Sequence, residues 1–307
     1  MRKVQLGCSE LQVPAVAVGF WRLNYGYDKK YVEDFVRTAM ENGANFFDHA
    51  DIYGRGEAES LFSEAIGMND SLREKMIIQS KCGIVPNKMF DFSKKHILES
   101  VDGSLKRLKT NYLDILLLHR PDTLMEPEEI CEAFDILKSS GKVRNFGVSN
   151  QNIWQIEYFR ANLNVPIVSN QMQLSIVHCP MIQSGLNVNM FNDSSIERGA
   201  GIIEYCRLNK ITLQAWSPFQ YGLGGGTYMD NPDYPGVNAK LSELAEKYGV
   251  SKTTVAMSWI LSHPAKMQAI SGSLKKERML NCLKAADVNL SREDWYALYM
   301  SNNNILP

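Results

Sequence analysis

Leu113-Asp114-Ile115-Leu116-Leu117-Leu118-His119-Arg120-Pro121-Asp122 is an apolar run of strand length that ends abruptly in reactive and turn-forming residues. It follows a segment of helical period that Ser93 opens and that carries Ile97, Val101, Leu105 and Leu108 along one face. A short apolar strand after an amphipathic helix is the pattern of a βα unit whose parallel sheet is covered on both faces. The same alternation extends in both directions. Ala15–Gly19, Asn45–Asp48, Met76–Lys81, Leu113–His119, Val143–Val148, Ile167–Gln171, Thr212–Trp216 and Gln268–Ser271 read as eight strands. The segments between them carry helix signals, such as Asp28 ahead of Tyr31, Phe35, Val36 and Ala39.

Eight such units predict an α/β fold, a (β/α)8 TIM barrel, and the apolar residues Val4, Leu6, Leu11 and Val13 around Gly7-Cys8-Ser9 predict a short β-hairpin ahead of it. The 307 residues fit one such barrel with insertions, and no linker composition divides them, so residues 1–307 read as a single domain. Gly- and Pro-rich stretches over 179–195 and 218–238 follow late strands and read as ligand-covering loops.

The chain is 45% hydrophobic and 22% charged, enough to bury a core without metal or disulfides. Lys plus Arg total 33 against 34 Asp plus Glu, so no basic field exists to hold nucleic acid. Cys8, Cys82, Cys131, Cys179, Cys206 and Cys282 are scattered and read as free thiols. The first residues lack a secretory apolar core, and no segment approaches membrane-spanning length, so a cytoplasmic protein without membrane association is expected.

Barrel enzymes place their chemistry at the C-terminal ends of the strands. Three consecutive strand ends here carry Asp48 with Tyr53, then Lys81, then His119. A tyrosine is a poor acid at neutral pH, and the Lys81 ammonium is expected to lower its pKa by favouring phenolate. Asp48 would hold that lysine charged, and His119 could hydrogen-bond a substrate oxygen from the other side. Gly54-x-Gly56-x-x-Glu59 lacks the third glycine of a dinucleotide fingerprint and is assigned to turn geometry. His49, Cys82 and His178 match no metal-ligand spacing, so no metal is expected.

This order of residues resembles the catalytic tetrad of the aldo-keto reductases, and the resemblance runs nearly end to end. It includes Gly19-Phe20-Trp21-Arg22, Gly147-Val148-Ser149-Asn150, Asn170-Gln171, Ala215-Trp216-Ser217-Pro218 and Gly272-Ser273 with Arg278. The resemblance implies an NADPH-dependent reduction of aldehyde or ketone carbonyls, with Tyr53 as general acid assisted by Lys81, Asp48 and His119. It also implies that Ser149, Asn150 and Gln171 hold the carboxamide, that Trp216 stacks on the nicotinamide, and that Ser217 and Arg22 reach the diphosphate. Gly272, Ser273 and Arg278 match the segment for the 2′-phosphate, and Trp21 with Tyr53 and His119 would line the substrate pocket. Two departures stand out: Phe20 replaces the usual threonine, and Asn281 with Cys282 occupy positions where many members contact adenine through Glu and Asn.

The expected partner is a small carbonyl compound, and the expected state is a monomer or weak oligomer. Two other readings compete. Lys81 could form a Schiff base, as in class I aldolases, though the cofactor half would then have no role. The chain could also serve as an NADPH-binding redox sensor for a partner protein, since fold alone does not fix function.

Overall fold

The computed structural model describes residues 1–23, 26–199, 201–222 and 225–306. Its strands are β1 (Lys3–Gln5), β2 (Gln12–Pro14), β3 (Val16–Gly19), β4 (Phe46–Asp48), β5 (Ile77–Cys82) and β6 (Ile84–Val85). They continue with β7 (Met89–Phe90), β8 (Leu113–Leu118), β9 (Val143–Ser149), β10 (Ile167–Gln173), β11 (Thr212–Trp216) and β12 (Gln268–Ser271). Eight of them close a parallel barrel in the order β3-β4-β5-β8-β9-β10-β11-β12, with β12 pairing back on β3. The expected barrel is therefore the observed one, with each strand within two residues of its expected bounds.

The local chemistry explains the elements. Asp28 caps the helix Lys29–Glu41 by accepting from the Tyr31 amide at 2.8 Å, and its buried face is Val32, Phe35, Val36 and Ala39. Ser93 does the same for the helix Lys94–Leu108 through the His96 amide. Every residue of β3 and β8 is buried, as strands coated on both faces must be.

The β1–β2 hairpin lies across the N-terminal ends of β10 and β11. Gly7, at φ +55°, sits so close there that a Cβ would fall 2.2 Å from the Val168 carbonyl oxygen, and its amide donates to Thr212 Oγ1 at 2.7 Å. At the same end Asp114 accepts from Arg73 at 2.7 Å and from the Ile78 amide at 2.9 Å, with Arg144 at 3.3 Å.

Two stretches read as loops contain helix. Pro180 begins the helix Pro180–Leu186, and Pro235 begins the helix Pro235–Tyr248. Proline in a first turn lacks only an amide that would be unpaired anyway, so the residue that suggested a loop is a helix start. The small β6–β7 hairpin has two-residue strands, too short to leave a periodic signal. Among the described residues all six cysteines are free, and no helix is long and apolar enough to cross a membrane.

Candidate active site

Side chains two apart on a strand share a face, so Gln79 and Lys81 of β5 both point into the barrel, while Ser80 points out and donates to Glu59. Strand ladders continue past the strand ends: the His49 amide donates to the Gln79 carbonyl, Asp51 to Lys81 and His119 to Cys82. These bonds draw the tops of β4, β5 and β8 together. The chain then reverses through Gly54 and Gly56, both at positive φ, which leaves Tyr53 over the barrel mouth. Gly54 and Gly56 thus serve a turn, and Glu59, in the first turn of the helix Glu57–Ala65 that follows, is buried against Ser80 and Arg107 rather than facing a ligand.

Lys81 is fully buried and its ammonium is fully used. It donates to both oxygens of Asp48 at 2.8 Å, to the His49 carbonyl at 2.7 Å and to Tyr53 Oη at 3.1 Å. Burial opposes the ammonium, but Asp48 and Tyr53 outweigh it and hold Lys81 above its ordinary value. Burial pushes the Tyr53 phenol up, and Lys81, which pulls the other way, does not overcome it. Lys81 lowers this phenol as expected, but desolvation of the phenolate is the larger effect, so the net shift is upward. His119 meets Tyr53 edge to face, with ring centroids 6.0 Å apart. Burial, then Lys81 and Arg120, hold the His119 imidazole well below its usual range, so it is a neutral ring at physiological pH.

Because Tyr53 Oη accepts from Lys81, its own proton is left for another acceptor. A phenol that can release a proton and a cation beside the oxyanion left behind are what a general acid requires.

The remaining expected residues gather beside this group. Ser149 donates to the Gln171 carbonyl at 2.9 Å, Asn150 donates to Ser149 Oγ at 2.7 Å, and Trp216 Nε1 donates to Asn150 Oδ1 at 3.3 Å. Gln171 spends its amide nitrogen inside the barrel, on Asp48 Oδ1 at 3.0 Å and Gln214 at 3.3 Å. Ser217 donates to Gln220. Arg22 stacks on Trp21 and reaches the Gly272 carbonyl at 3.3 Å, which joins the ends of β3 and β12. Trp21 is 41% exposed at the mouth. Ser273 accepts from the Lys275 amide, and Arg278 is exposed on the following helix.

Arg22 and Arg278 enter no ion pair among the described residues, so their guanidinium groups remain available as donors beside the hydroxyls of Ser217 and Ser273. Such a set suits phosphate oxygens. Cys282 is buried, with its thiol pushed up to about 12, so it faces the interior; Asn281 is half-buried. No group of His, Cys, Asp or Glu among the described residues is arranged to hold a metal. His49 is packed between Phe20 and Phe62, stacked on Phe20 at 4.9 Å.

Arg120 has no role in the sequence reading. It stands 5.4 Å over the Trp216 ring, close enough to Tyr53 and His119 to bias both, and the signal was its place directly after His119.

The aldo/keto reductase family model matches residues 15–302, nearly the whole chain and the entire barrel. The chain belongs to the aldo/keto reductase family. This aldo/keto reductase is 35% identical to an uncharacterised oxidoreductase of Bacillus subtilis strain 168, over 97% of each chain. It is 31% identical to a 6-dehydroglucose reductase of Agrobacterium fabrum, again over 97% of each. A thermostable aldo-keto reductase solved with the inhibitor epalrestat superposes with a TM-score of 0.78 at 27% identity, covering 98% of this chain and 100% of that one.

Proposed function

We propose that this aldo/keto reductase uses NADPH to reduce an aldehyde or ketone to the alcohol, with Tyr53 as the proton donor. The observation that carries the reading is the fully coordinated Lys81 ammonium, 2.8 Å from Asp48 and 3.1 Å from Tyr53 Oη. Ser149, Asn150 and Trp216 would hold the nicotinamide end, with the free end of Gln171, and Arg22, Ser217, Gly272, Ser273 and Arg278 the phosphates. When bound, the cofactor supplies a hydride to the carbonyl carbon.

This chain's own residues manage the proton. Neutral His119 donates a hydrogen bond to the carbonyl oxygen and orients it toward Tyr53. Tyr53 Oη releases its proton to that oxygen as negative charge develops there, and Lys81 stabilises the phenolate through the hydrogen bond it already makes. Asp48 keeps Lys81 charged throughout. The relative's name, 6-dehydroglucose reductase, makes sugar-derived aldehydes the first substrates to try.

Tyr53→Phe tests the reading. It removes the acid and leaves Trp216 and Asn150 in place, so turnover falls by about 100- to 10,000-fold, the usual worth of a positioned general acid, while NADPH affinity by fluorescence titration holds. Loss of turnover and affinity together would contradict the assignment. NADPH binding by the native protein without turnover of any carbonyl would favour the redox-sensing reading.

A further inference from the structure

The interior of an α/β barrel is ordinarily filled by branched apolar side chains. Here Gln79, Gln171, Gln214 and Gln268 occupy it at one level, all buried, on β5, β10, β11 and β12. Gln79 Nε2 donates to Asp48 Oδ1 at 2.7 Å, and Gln214 Nε2 donates to Gln79 Oε1 at 3.1 Å and to Gln268 Oε1 at 2.7 Å. Gln268 Nε2 donates to the Pro14 carbonyl at 2.8 Å.

The polarity of this chain is forced. An ionised carboxylate only accepts, so Gln79 must turn its nitrogen to Asp48 and its oxygen away. That oxygen needs a donor, which fixes Gln214, and Gln214 in turn fixes Gln268, whose nitrogen ends on a backbone carbonyl. Each amide is paired at both ends, as a buried polar network must be if it is not to destabilise the core.

We propose that Gln79, Gln214 and Gln268 form a ladder that holds Asp48 as an oriented carboxylate beneath Lys81, and so act as positioning residues for proton donation by Tyr53. The inference rests on the carbonyl-reductase reading for its kinetic consequence, though not for its structural one. Among the described residues, the titratable groups facing Asp48 are Lys81 from β5 and Tyr53 from the loop after β4; β3 presents Gly19, and β10 and β11 present amides. Amide donors aimed at Asp48 Oδ1 fix the direction in which the carboxylate faces Lys81 and fill lone pairs that would otherwise be buried unpaired. Gln171 contributes a second donor, but its place beside Ser149 makes its variants ambiguous, so the test uses the other three.

Gln79→Met keeps the volume and removes the donor. Its kcat is expected to fall about 10- to 100-fold, the worth of a hydrogen bond to a charged group, with KM and NADPH affinity within about threefold. Gln79→Glu separates positioning from packing. Two adjacent buried carboxyls share one proton, so at acid pH the hydroxyl of the introduced carboxyl group replaces the lost amide donor and kcat stays near native. As pH rises the shared proton leaves and activity falls, far below the pH at which the native enzyme loses it. Because a buried carboxyl here alters the pH profile in any case, the acid limit decides: a protonated Gln79→Glu protein no more active than Gln79→Met would overturn the proposal.

A readout without turnover uses the carboxyl-carbon NMR resonance of Asp48, assigned by its loss in Asp48→Asn. It should move in Gln79→Met and, through the ladder, in Gln214→Met; an unmoved resonance in both would overturn the ladder even if these variants fold poorly enough to confuse kinetics. A native protein that turns over no carbonyl would instead overturn the reaction reading, and the resonance would still decide the ladder.

Discussion

Lys81→Met removes the cation that touches Tyr53 Oη. Its ammonium is 3.1 Å from Tyr53 Oη, and at an effective dielectric constant near 20 two unit charges at that distance attract by about 5 kcal/mol. Only a phenolate gains this attraction, and the phenolate develops as the proton leaves, so most of it acts on the transition state. At tenfold per 1.4 kcal/mol, kcat should fall by about 1,000- to 10,000-fold. The same substitution strands Asp48, which is 4% exposed, with amide donors and no counter-charge. Breaking a buried pair costs roughly 3–5 kcal/mol, and in a chain of this size that lowers Tm by roughly 5–8 °C. Thermal unfolding followed by circular dichroism measures the second effect, and carbonyl-dependent NADPH oxidation below the variant's Tm measures the first. NADPH affinity should change little, because Lys81 points at Asp48, His49 and Tyr53. A folded Lys81→Met protein that keeps kcat within tenfold of native would refute the reasoning.

Arg278→Ala should weaken NADPH by about 10- to 100-fold and NADH hardly at all, since a charge-assisted hydrogen bond to the 2′-phosphate is lost only for the former; equal weakening would rule out the phosphate role. His49, buried in its aromatic cage, is held down to about 3 from 6.5. Its folded pKa lies below its unfolded one, so the unfolded state takes up the proton first and stability falls as pH drops below 6.5 toward 3. His49→Phe should flatten the stability loss in that window, and an unchanged slope in denaturant midpoints would contradict this. Asp51 is pushed up to about 7 by burial and by Glu59, so stability is full below 3.8 and is lost as pH rises through 7; Asp51→Asn should stabilise the protein at pH 8 and not at pH 4. Asp114→Ala leaves Arg73, buried with it, unpaired and should cost roughly 3–5 kcal/mol with kcat unchanged; a parallel loss of kcat would show that the far end of the barrel reaches the site.

The strands were legible because each is a short apolar run bounded by a helix pattern, as β8 shows. The reactive strand ends were legible for a related reason: Lys81 or His119 closing such a run has nowhere to go but the mouth. Gln79, Gln214 and Gln268 were not, because a glutamine inside a strand ordinarily reads as the solvent face, and only barrel closure brings these three within hydrogen-bond distance of one another. Pro180 and Pro235 misled because proline marks a loop and a helix start alike. The direction of the Tyr53 shift also escaped the sequence, since it depends on how deeply the phenol is buried against how near Lys81 stands.

The most direct test of the central claim is transfer of deuterium from NADPH labelled at its hydride position to a sugar-derived aldehyde, with the native enzyme and Tyr53→Phe in parallel. The account predicts one deuterium on the alcohol carbon of the native product, and far less of that labelled alcohol formed in the same time by the variant, although both bind NADPH. Unlabelled product, or labelled alcohol formed by the Tyr53→Phe protein at the native rate, would contradict it.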